Sequence, residues 1–255
     1  MNAKPKLCIF DYTELFCLYK PTHKMLRILF FLMLATTVSF CFAQETLELS
    51  AYHSGGITER YHVLKTDRKI KQGLYQQVTR KNTAIVSGTY DQNKRVGIWH
   101  FYDKDGKVNE LYNYTTNKLL YEAPVDSTRD YIEYIFDKKI APTDTATKPV
   151  RIGGTWFGYL PYVKLFKIDP ANFYTSVPIR AFLQMLVSPG GRLSECKLVV
   201  QIKSNNAIID TYLLNNELLD EYDKQFVPAT VNHQPVVSTI SVLVKINDDW
   251  SISLY

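Results

Sequence analysis

Apolar and polar residues alternate over short segments between residues 57 and 121, and turn-forming residues separate the segments. In several segments a glycine precedes an aromatic residue by two positions, as in Gly88-Thr-Tyr90 and Gly97-Ile-Trp99. The intervening positions are Asp91-Gln-Asn-Lys94 and Asp103-Lys-Asp-Gly106. A period of two residues broken by such turns is typical of consecutive antiparallel hairpins. The pattern therefore predicts a β-meander over residues 44–121.

A junction at residues 122–150 follows, marked by Pro124, Pro142 and Pro149. Its composition is typical of a linker, although residues 131–136 alternate in a way that favours one strand. The domain boundary is predicted near its end, so that residues 151–255 form a second module.

The second module is predicted to contain strands over residues 180–187, 193–202 and 236–246, and a short helix within 156–168 that is broken by Pro161. Asn205 or Asn206 can cap a longer helix that runs to about residue 225. Its apolar stripe consists of Ile208, Tyr212, Leu219, Tyr222 and Phe226. Such a stripe predicts a helix laid on a sheet. The overall expectation is an α+β fold, with an antiparallel meander followed by a small β-β-α-β domain.

The first 43 residues have the pattern of a secretory leader. Lys24 and Arg27 precede an apolar run at residues 28–43, which ends in Ala43 and is followed by polar chain. A basic flank, a short apolar core and a small residue at its end favour a signal peptide that is cut after Ala43. Met25 is then a candidate for the true first residue. An uncleaved membrane anchor is the alternative.

Charge and cysteine content narrow the function further. The chain has 30 basic and 25 acidic residues, a formal charge of +5, which is too mild to indicate a nucleic-acid partner. Removal of residues 1–43 takes Cys8, Cys17 and Cys41 away and leaves Cys196 alone. An internal disulfide is thereby excluded, and so is a cysteine-rich metal site. Cys196 lies in a strand pattern, where a buried, apolar role is expected.

The segment at residues 88–107, from Gly88-Thr-Tyr to Asp-Gly-Lys107, resembles the MORN-type repeats of the antitoxin-repeat family. These repeats carry Gly-x-Tyr, a turn, Gly-x-Trp-x-x-Tyr, a second turn and Gly-Lys. The resemblance covers about 50 residues, and it implies a meander that serves as a binding or spacing surface.

Residues 226–244, which begin Phe-Val-Pro-Ala and contain Asn232-His-Gln-Pro-Val236, resemble the TonB C-terminal domain family. The Gly153-Gly154 pair matches the entry segment of that family. The resemblance covers roughly 100 residues, and it implies a β-β-α-β fold in the periplasm or on the cell envelope that binds peptide or protein. His233 stands where the family usually has glycine, so a positive φ is expected at a non-glycine residue.

Sequence motifs of catalysis are missing. The chain has no Gly-x-Ser-x-Gly elbow, no phosphate-binding loop and no His-Glu-x-x-His signature. Asp103-x-Asp105-Gly106 lacks the later ligands of a calcium loop and is interpreted as a hairpin turn. The acidic residues at 220–223 are interpreted as a solvated surface. The chain is therefore expected to be non-enzymatic, with no metal and no small-molecule cofactor.

The leading hypothesis is an exported protein of the periplasm or cell envelope of a Gram-negative bacterium that binds an envelope protein or an extended peptide by β-strand addition. The strand at 236–246 is expected to be an edge strand that offers unpaired N–H and C=O groups. The predicted contact residues are Thr239, Ser241, Leu243 and Lys245. The same edge could pair with itself and give a homodimer. The alternative is a membrane-anchored, TonB-like energy transducer for outer-membrane transport; a concealed enzyme is the third possibility.

Overall fold

The computed structural model describes residues 45–53, 56–124, 131–172 and 177–255. The predicted leader, residues 1–43, lies outside these ranges, so the signal peptide stays a prediction. Residues Glu45–Tyr255 form one compact unit. This unit consists mostly of antiparallel β-sheets with one short α-helix.

The first sheet is a seven-stranded meander in which every strand pairs with the next one along the chain. All six pairings are antiparallel. Its strands are β1 (Thr46–His53), β2 (Ile57–Leu64), β3 (Lys71–Thr79), β4 (Ala84–Asp91), β5 (Lys94–Tyr102), β6 (Val108–Asn113) and β7 (Lys118–Glu122). The predicted meander of hairpins is confirmed. The turn between β4 and β5 has positive φ at both Gln92 and Asn93, which is the backbone twist that a tight two-residue hairpin requires.

The second sheet has six strands: β8 (Ile132–Phe136), β11 (Ile179–Val187), β12 (Leu193–Ile202), β13 (Ile208–Leu213), β17 (Ser238–Ile246) and β18 (Ile252–Ser253). Their order in the sheet is β13-β12-β11-β17-β18, with β8 also paired to β17. The strand expected inside the junction at 131–136 is β8. The junction therefore supplies an element of the second sheet and is more than a linker.

Short strands and turns complete the unit. The strands are β9 (Ala146–Thr147), β10 (Val150–Arg151), β14 (Phe226–Val227), β15 (Ala229–Val231) and β16 (Gln234–Val236). The helix α1 (Leu160–Val163) follows a 3-10 turn at Phe157–Tyr159, so a short helix does lie within residues 156–168. The expected break at Pro161 is wrong, because Pro161 lies in the first turn of α1, where its missing N–H costs no helical hydrogen bond. Asn232 and His233 both have positive φ in the β15–β16 turn, as expected for His233.

The long helix expected from about 205 to 225 is wrong. Its first part is the strand β13, and two 3-10 turns follow at Asn216–Leu218 and Glu221–Lys224. The run Ile208-Ile209-Asp-Thr contains three β-branched residues, which pack well on a pleated surface. The side chains of Asn215 and Asp220 each accept a backbone N–H two residues on, and so begin separate single turns. The helical stripe was therefore a coincidence of spacing.

Each sheet buries its own apolar cluster. In the second sheet, the inward side chains of β11, β12 and β17 pack against the segment from Tyr159 to Ile168, and Cys196 is part of this core. Burial raises the pKa of the Cys196 thiol, which agrees with its expected apolar role. In the first sheet, the fully buried Trp99 lies within 6.5 Å of the rings of Tyr75, Tyr90, Phe101 and Tyr114. The recurrent Gly-x-aromatic pattern thus builds one aromatic core.

Candidate partner-binding surface

The last long strand, β17, is an interior strand. On one side it pairs with β11. On the other side Thr239 pairs with Ile135 and Ser241 with Glu133, while Lys245 pairs with Ser253. The N–H of Leu243 donates to Tyr131 O at 2.8 Å. The expectation that residues 236–246 form an open edge is therefore wrong, because β8 and β18 occupy that side together.

The four predicted contact residues share one face of the sheet instead of an edge. Alternate residues of β17 point the same way, and Ile240, Val242 and Val244 of the opposite parity belong to the core. Thr239, Ser241, Leu243 and Lys245 therefore lie on the outer face, where Ser241 is buried and Lys245 is exposed. Contact with a partner through these side chains stays a prediction.

A cleft of about 630 Å³ lies between the two sheets, a volume typical of ligand sites. It is lined by Asp103, Lys104, Asp105, Asn109, Ala123, Pro124, Tyr131, Ile132, Thr155, Trp156, Val242, Leu243, Leu254 and Tyr255. The Asp103 carboxylate accepts the N–H groups of Asp105 and Lys107 at 2.9 and 2.8 Å, so it closes the expected hairpin turn. The rings of Tyr131 and Tyr255 are 4.6 Å apart and half exposed. The lining combines aromatic surface with turn carboxylates.

Free strand edges differ in how well they are protected. On β13 the pairing with β12 shifts at Val200–Gln201, and the bulge leaves Ile209 without a paired residue. The backbone N–H of Thr211 donates to the side-chain Oδ1 of the preceding residue, Asp210, at 2.7 Å. β7 is five residues long and carries a bulge at Leu120. Bulges, short length and local capping are the usual devices that stop an edge from pairing with another chain.

The edge of β1 has none of these devices. Its eight residues pair with β2 in one unbroken register from Thr46 to His53. The N–H of Lys65 donates to Glu45 O at 3.0 Å, so odd-numbered residues of β1 face β2. By the alternation of an antiparallel ladder, Thr46, Glu48, Ser50 and Tyr52 direct their N–H and C=O groups away from the sheet; no strand of the described ranges pairs with them.

A buried carboxylate joins the meander to the second module. Glu110 of β6 is 1% exposed and accepts the N–H of Gly153 at 2.9 Å and the N–H of Gly154 at 3.1 Å. Both glycines have positive φ, which turns their N–H groups toward the carboxylate. Burial raises the pKa of Glu110 to about 7, although the two N–H donors and Arg151 oppose the rise. We call this contact between the meander and the second module the joint. It contains Gly153 and Gly154, the pair singled out in the sequence.

Arg151 and Arg95 complete the joint. Arg151 is 3% exposed; its Nη2 donates to Asp223 Oδ1 at 2.9 Å and its Nε to Gly158 O at 2.9 Å. Arg95 of β5 lies in an aromatic cage, defined as the rings of Trp99, Tyr114, Phe157 and Tyr222, at 4.6 to 5.9 Å from its guanidinium carbon. The Arg95 N–H donates to Tyr222 Oη at 2.9 Å. The contacts of Arg95 with Phe157 and Tyr222 cross from the meander to the second module, whereas the bonds of Arg151 to Gly158 and Asp223 lie within the second module.

The joint was not predicted from the sequence. One signal was available: Glu110 occupies an inward position of the alternating segment 108–113, where an apolar residue is expected. Arg95 and Arg151 gave no such signal, because their partners lie more than 70 positions away at Tyr222 and Asp223.

Within the described ranges, no three His, Cys, Asp or Glu side chains lie close enough to hold a metal ion. Among the helices of the same ranges, none is long and apolar enough to span a bilayer. Comparison of the chain with protein-family models, curated proteins and solved structures found no match.

Proposed function

We propose that this chain is an exported, non-enzymatic protein of the periplasm or cell envelope of a Gram-negative bacterium, and that it binds an extended segment of a protein partner by β-strand addition. The receiving edge is β1. The observation that carries the proposal is the unbroken eight-residue edge from Thr46 to His53, with its outward N–H and C=O groups. Each such group can be satisfied by the backbone of an added strand.

The side chains of β1 favour the same function. Leu47, Leu49 and Ala51 lie on the core side of the sheet and are half-buried, since nothing in the described ranges covers them from the β1 side. An added strand with apolar residues at alternate positions would remove these side chains further from water. Burial of apolar surface at about 25 cal/mol per Å² adds to the backbone pairing.

The proposed cleavage of the leader agrees with the position of β1 in the chain. A cut after Ala43 leaves β1 as the first strand of the mature chain, with Gln44 and Glu45 ahead of it. The resemblance of residues 226–244 to the TonB C-terminal family, and of residues 88–107 to MORN-type repeats, supports an envelope setting and a binding role. The β-β-α-β order implied by that resemblance is met only in its strands, since β13 and two 3-10 turns stand where the family has its helix.

The test is crosslinking in intact cells followed by identification of the attached protein, with wild type and two proline variants. Ser50→Pro removes an outward N–H from β1, whereas Thr211→Pro removes an outward N–H from the protected edge of β13. We expect the crosslinked protein to be lost in Ser50→Pro and retained in Thr211→Pro. Equal recovery from Ser50→Pro, with an unchanged circular dichroism spectrum, would contradict strand addition at β1. N-terminal sequencing that finds Gln44 first would support export.

A further inference from the structure

The β1 edge is complementary to itself. In a two-fold antiparallel pair, residues that face each other have the same parity, so the outward even residues pair with even residues of the second copy. The side chains then meet in two sets, with Leu47, Leu49 and Ala51 on the core side and Glu48 and the other even residues on the opposite side. Because the strand carries one acidic residue and no lysine or proline, the choice of register decides whether like charges meet.

Three registers keep most of the strand paired, and they differ in what they bring together. A pair centred on Glu48 sets two carboxylates opposite each other, which is unfavourable. A pair centred on Ser50 places Leu47 opposite the partially buried His53 of the other copy. A pair centred on Leu49 places Leu49 opposite Leu49 and Leu47 opposite Ala51.

The register centred on Leu49 also suits the polar side. It places Glu48 opposite Ser50 and Thr46 opposite Tyr52, so no like charges meet. All four outward residues then exchange backbone bonds, about eight N–H···O contacts in all if each group pairs. In this register apolar side chains face apolar side chains on one face of the sheet. On the other face, the single charged side chain, Glu48, faces an uncharged one.

We propose that β1 of one copy pairs antiparallel with β1 of a second copy, centred on Leu49, and so joins two seven-stranded meanders into one continuous sheet. This inference rests on the proposed function, because it names the strand that is added at the same edge. Of the other edge strands of the two large sheets, β7 and β13 carry bulges, while β8 and β18 have only five and two residues. β1 has eight residues and no bulge. A long, regular edge of that kind is a ready template for pairing with a strand of another chain.

The first measurement is the molar mass in solution of residues 44–255, which contain the whole compact unit. We expect a concentration-dependent dimer by light scattering. Ser50→Pro should raise its dissociation constant by about tenfold or more, which corresponds to about 1.4 kcal/mol. Ser50→Ala and Thr211→Pro are the matched controls and should stay dimeric. A wild-type chain that is monomeric at all concentrations overturns the inference.

The second measurement fixes the register by disulfide formation. Leu49 faces Leu49 as a non-hydrogen-bonded pair, for which Cα atoms are about 4.5 Å apart and a disulfide can form. Leu49→Cys should therefore give a covalent dimer on mild oxidation, and Ser50→Cys should not. The only native cysteine in 44–255, Cys196, is buried and does not interfere. Crosslinking of Ser50→Cys alone would overturn the proposed register.

A third measurement needs no substitution. The amide protons of Glu48 and Ser50 should exchange more slowly as the protein concentration rises, while the Thr211 amide should show no such dependence. Failure of this inference is distinct from failure of the proposed function. A wild-type chain that is monomeric, but whose crosslink to a different protein is lost in Ser50→Pro, refutes the dimer alone. If Ser50→Pro changes neither the crosslink nor the molar mass, both the dimer and the proposed function are refuted.

Discussion

The buried carboxylate of Glu110 makes the stability of the protein depend on pH in a direction that can be worked out. Its pKa rises from 4.5 to about 7 in the folded state, and burial is the main cause. Between these two values the folded protein binds a proton more tightly than the unfolded chain, so this group contributes stability below pH 4.5 that is lost as the pH rises through 7. At about 1.4 kcal/mol per pKa unit, the loss is about 3 kcal/mol.

The perturbation is Glu110→Gln, which stays neutral at every pH. Its amide oxygen can keep one of the two glycine N–H bonds, and its NH₂ group cannot accept the other, so the variant should be less stable than wild type at pH 5 by about 1–3 kcal/mol. The difference in unfolding free energy between wild type and variant should then shrink or reverse by about 2.5 kcal/mol on going from pH 5 to pH 8, because part of the loss has already occurred at pH 5. Carboxylates elsewhere titrate in both proteins and cancel in this difference.

The assay is urea unfolding followed by the fluorescence of the buried Trp99 core, at pH 5, 6, 7 and 8, with equal m-values required in both proteins. Near-ultraviolet circular dichroism checks that the joint keeps its packing. A free-energy difference that stays constant within about 0.5 kcal/mol across this range would refute the reasoning, since it would mean that the glycine N–H groups fully compensate for burial of the charge.

Three further outcomes are expected. Arg95→Ala should empty the aromatic cage and lower the unfolding free energy, measured by urea unfolding, by about 3 kcal/mol. A decrease below about 0.5 kcal/mol would contradict the view that the cage stabilises the fold. Gly88→Ala should lower the unfolding free energy by at least about 2 kcal/mol, because the added Cβ would lie 2.2 Å from the Trp99 ring. Gly97→Ala is the control: nothing lies within 4 Å of its added Cβ, and it should lower the unfolding free energy by only about 1 kcal/mol. Calorimetry measures both. Cys196 should react with a thiol reagent no faster than the protein unfolds, and rapid labelling of the folded chain would show that its burial is wrong.

Local pattern carried the sequence predictions that succeeded. The meander follows from alternation and turn residues within 10 to 15 positions, and β11 and β12 were placed within one residue at each end for the same reason. The helix expected at 205–225 failed because the spacing of Tyr212 and Leu219 fits both a helical stripe and a strand followed by a turn. The segment forms a strand because β12 would otherwise be an edge strand, and β13 pairs with it.

Edges could not be predicted because they depend on distant segments. β17 looked open in the sequence, and it is closed by β8, which lies about 100 residues earlier within the presumed linker. β1 gave no comparable signal, since its exposure depends on the fact that no strand in the described ranges pairs beside it. Whether a strand is interior or at an edge is a property of the assembled sheet, which its own sequence does not encode.

The joint determines how rigidly a strand added at β1 would be connected to the second module. Independent domains usually meet through solvated, polar interfaces that allow relative motion. Here the contact between meander and second module contains the almost fully buried Glu110, the Arg95 cage and the stacked rings of Phe101 and Phe157, 5.6 Å apart. Separating the modules would leave these groups without their partners, at a cost of about 3–5 kcal/mol for each buried charge that loses its partner. A strand added at β1 would therefore be attached to one body that also carries the outer face of β17.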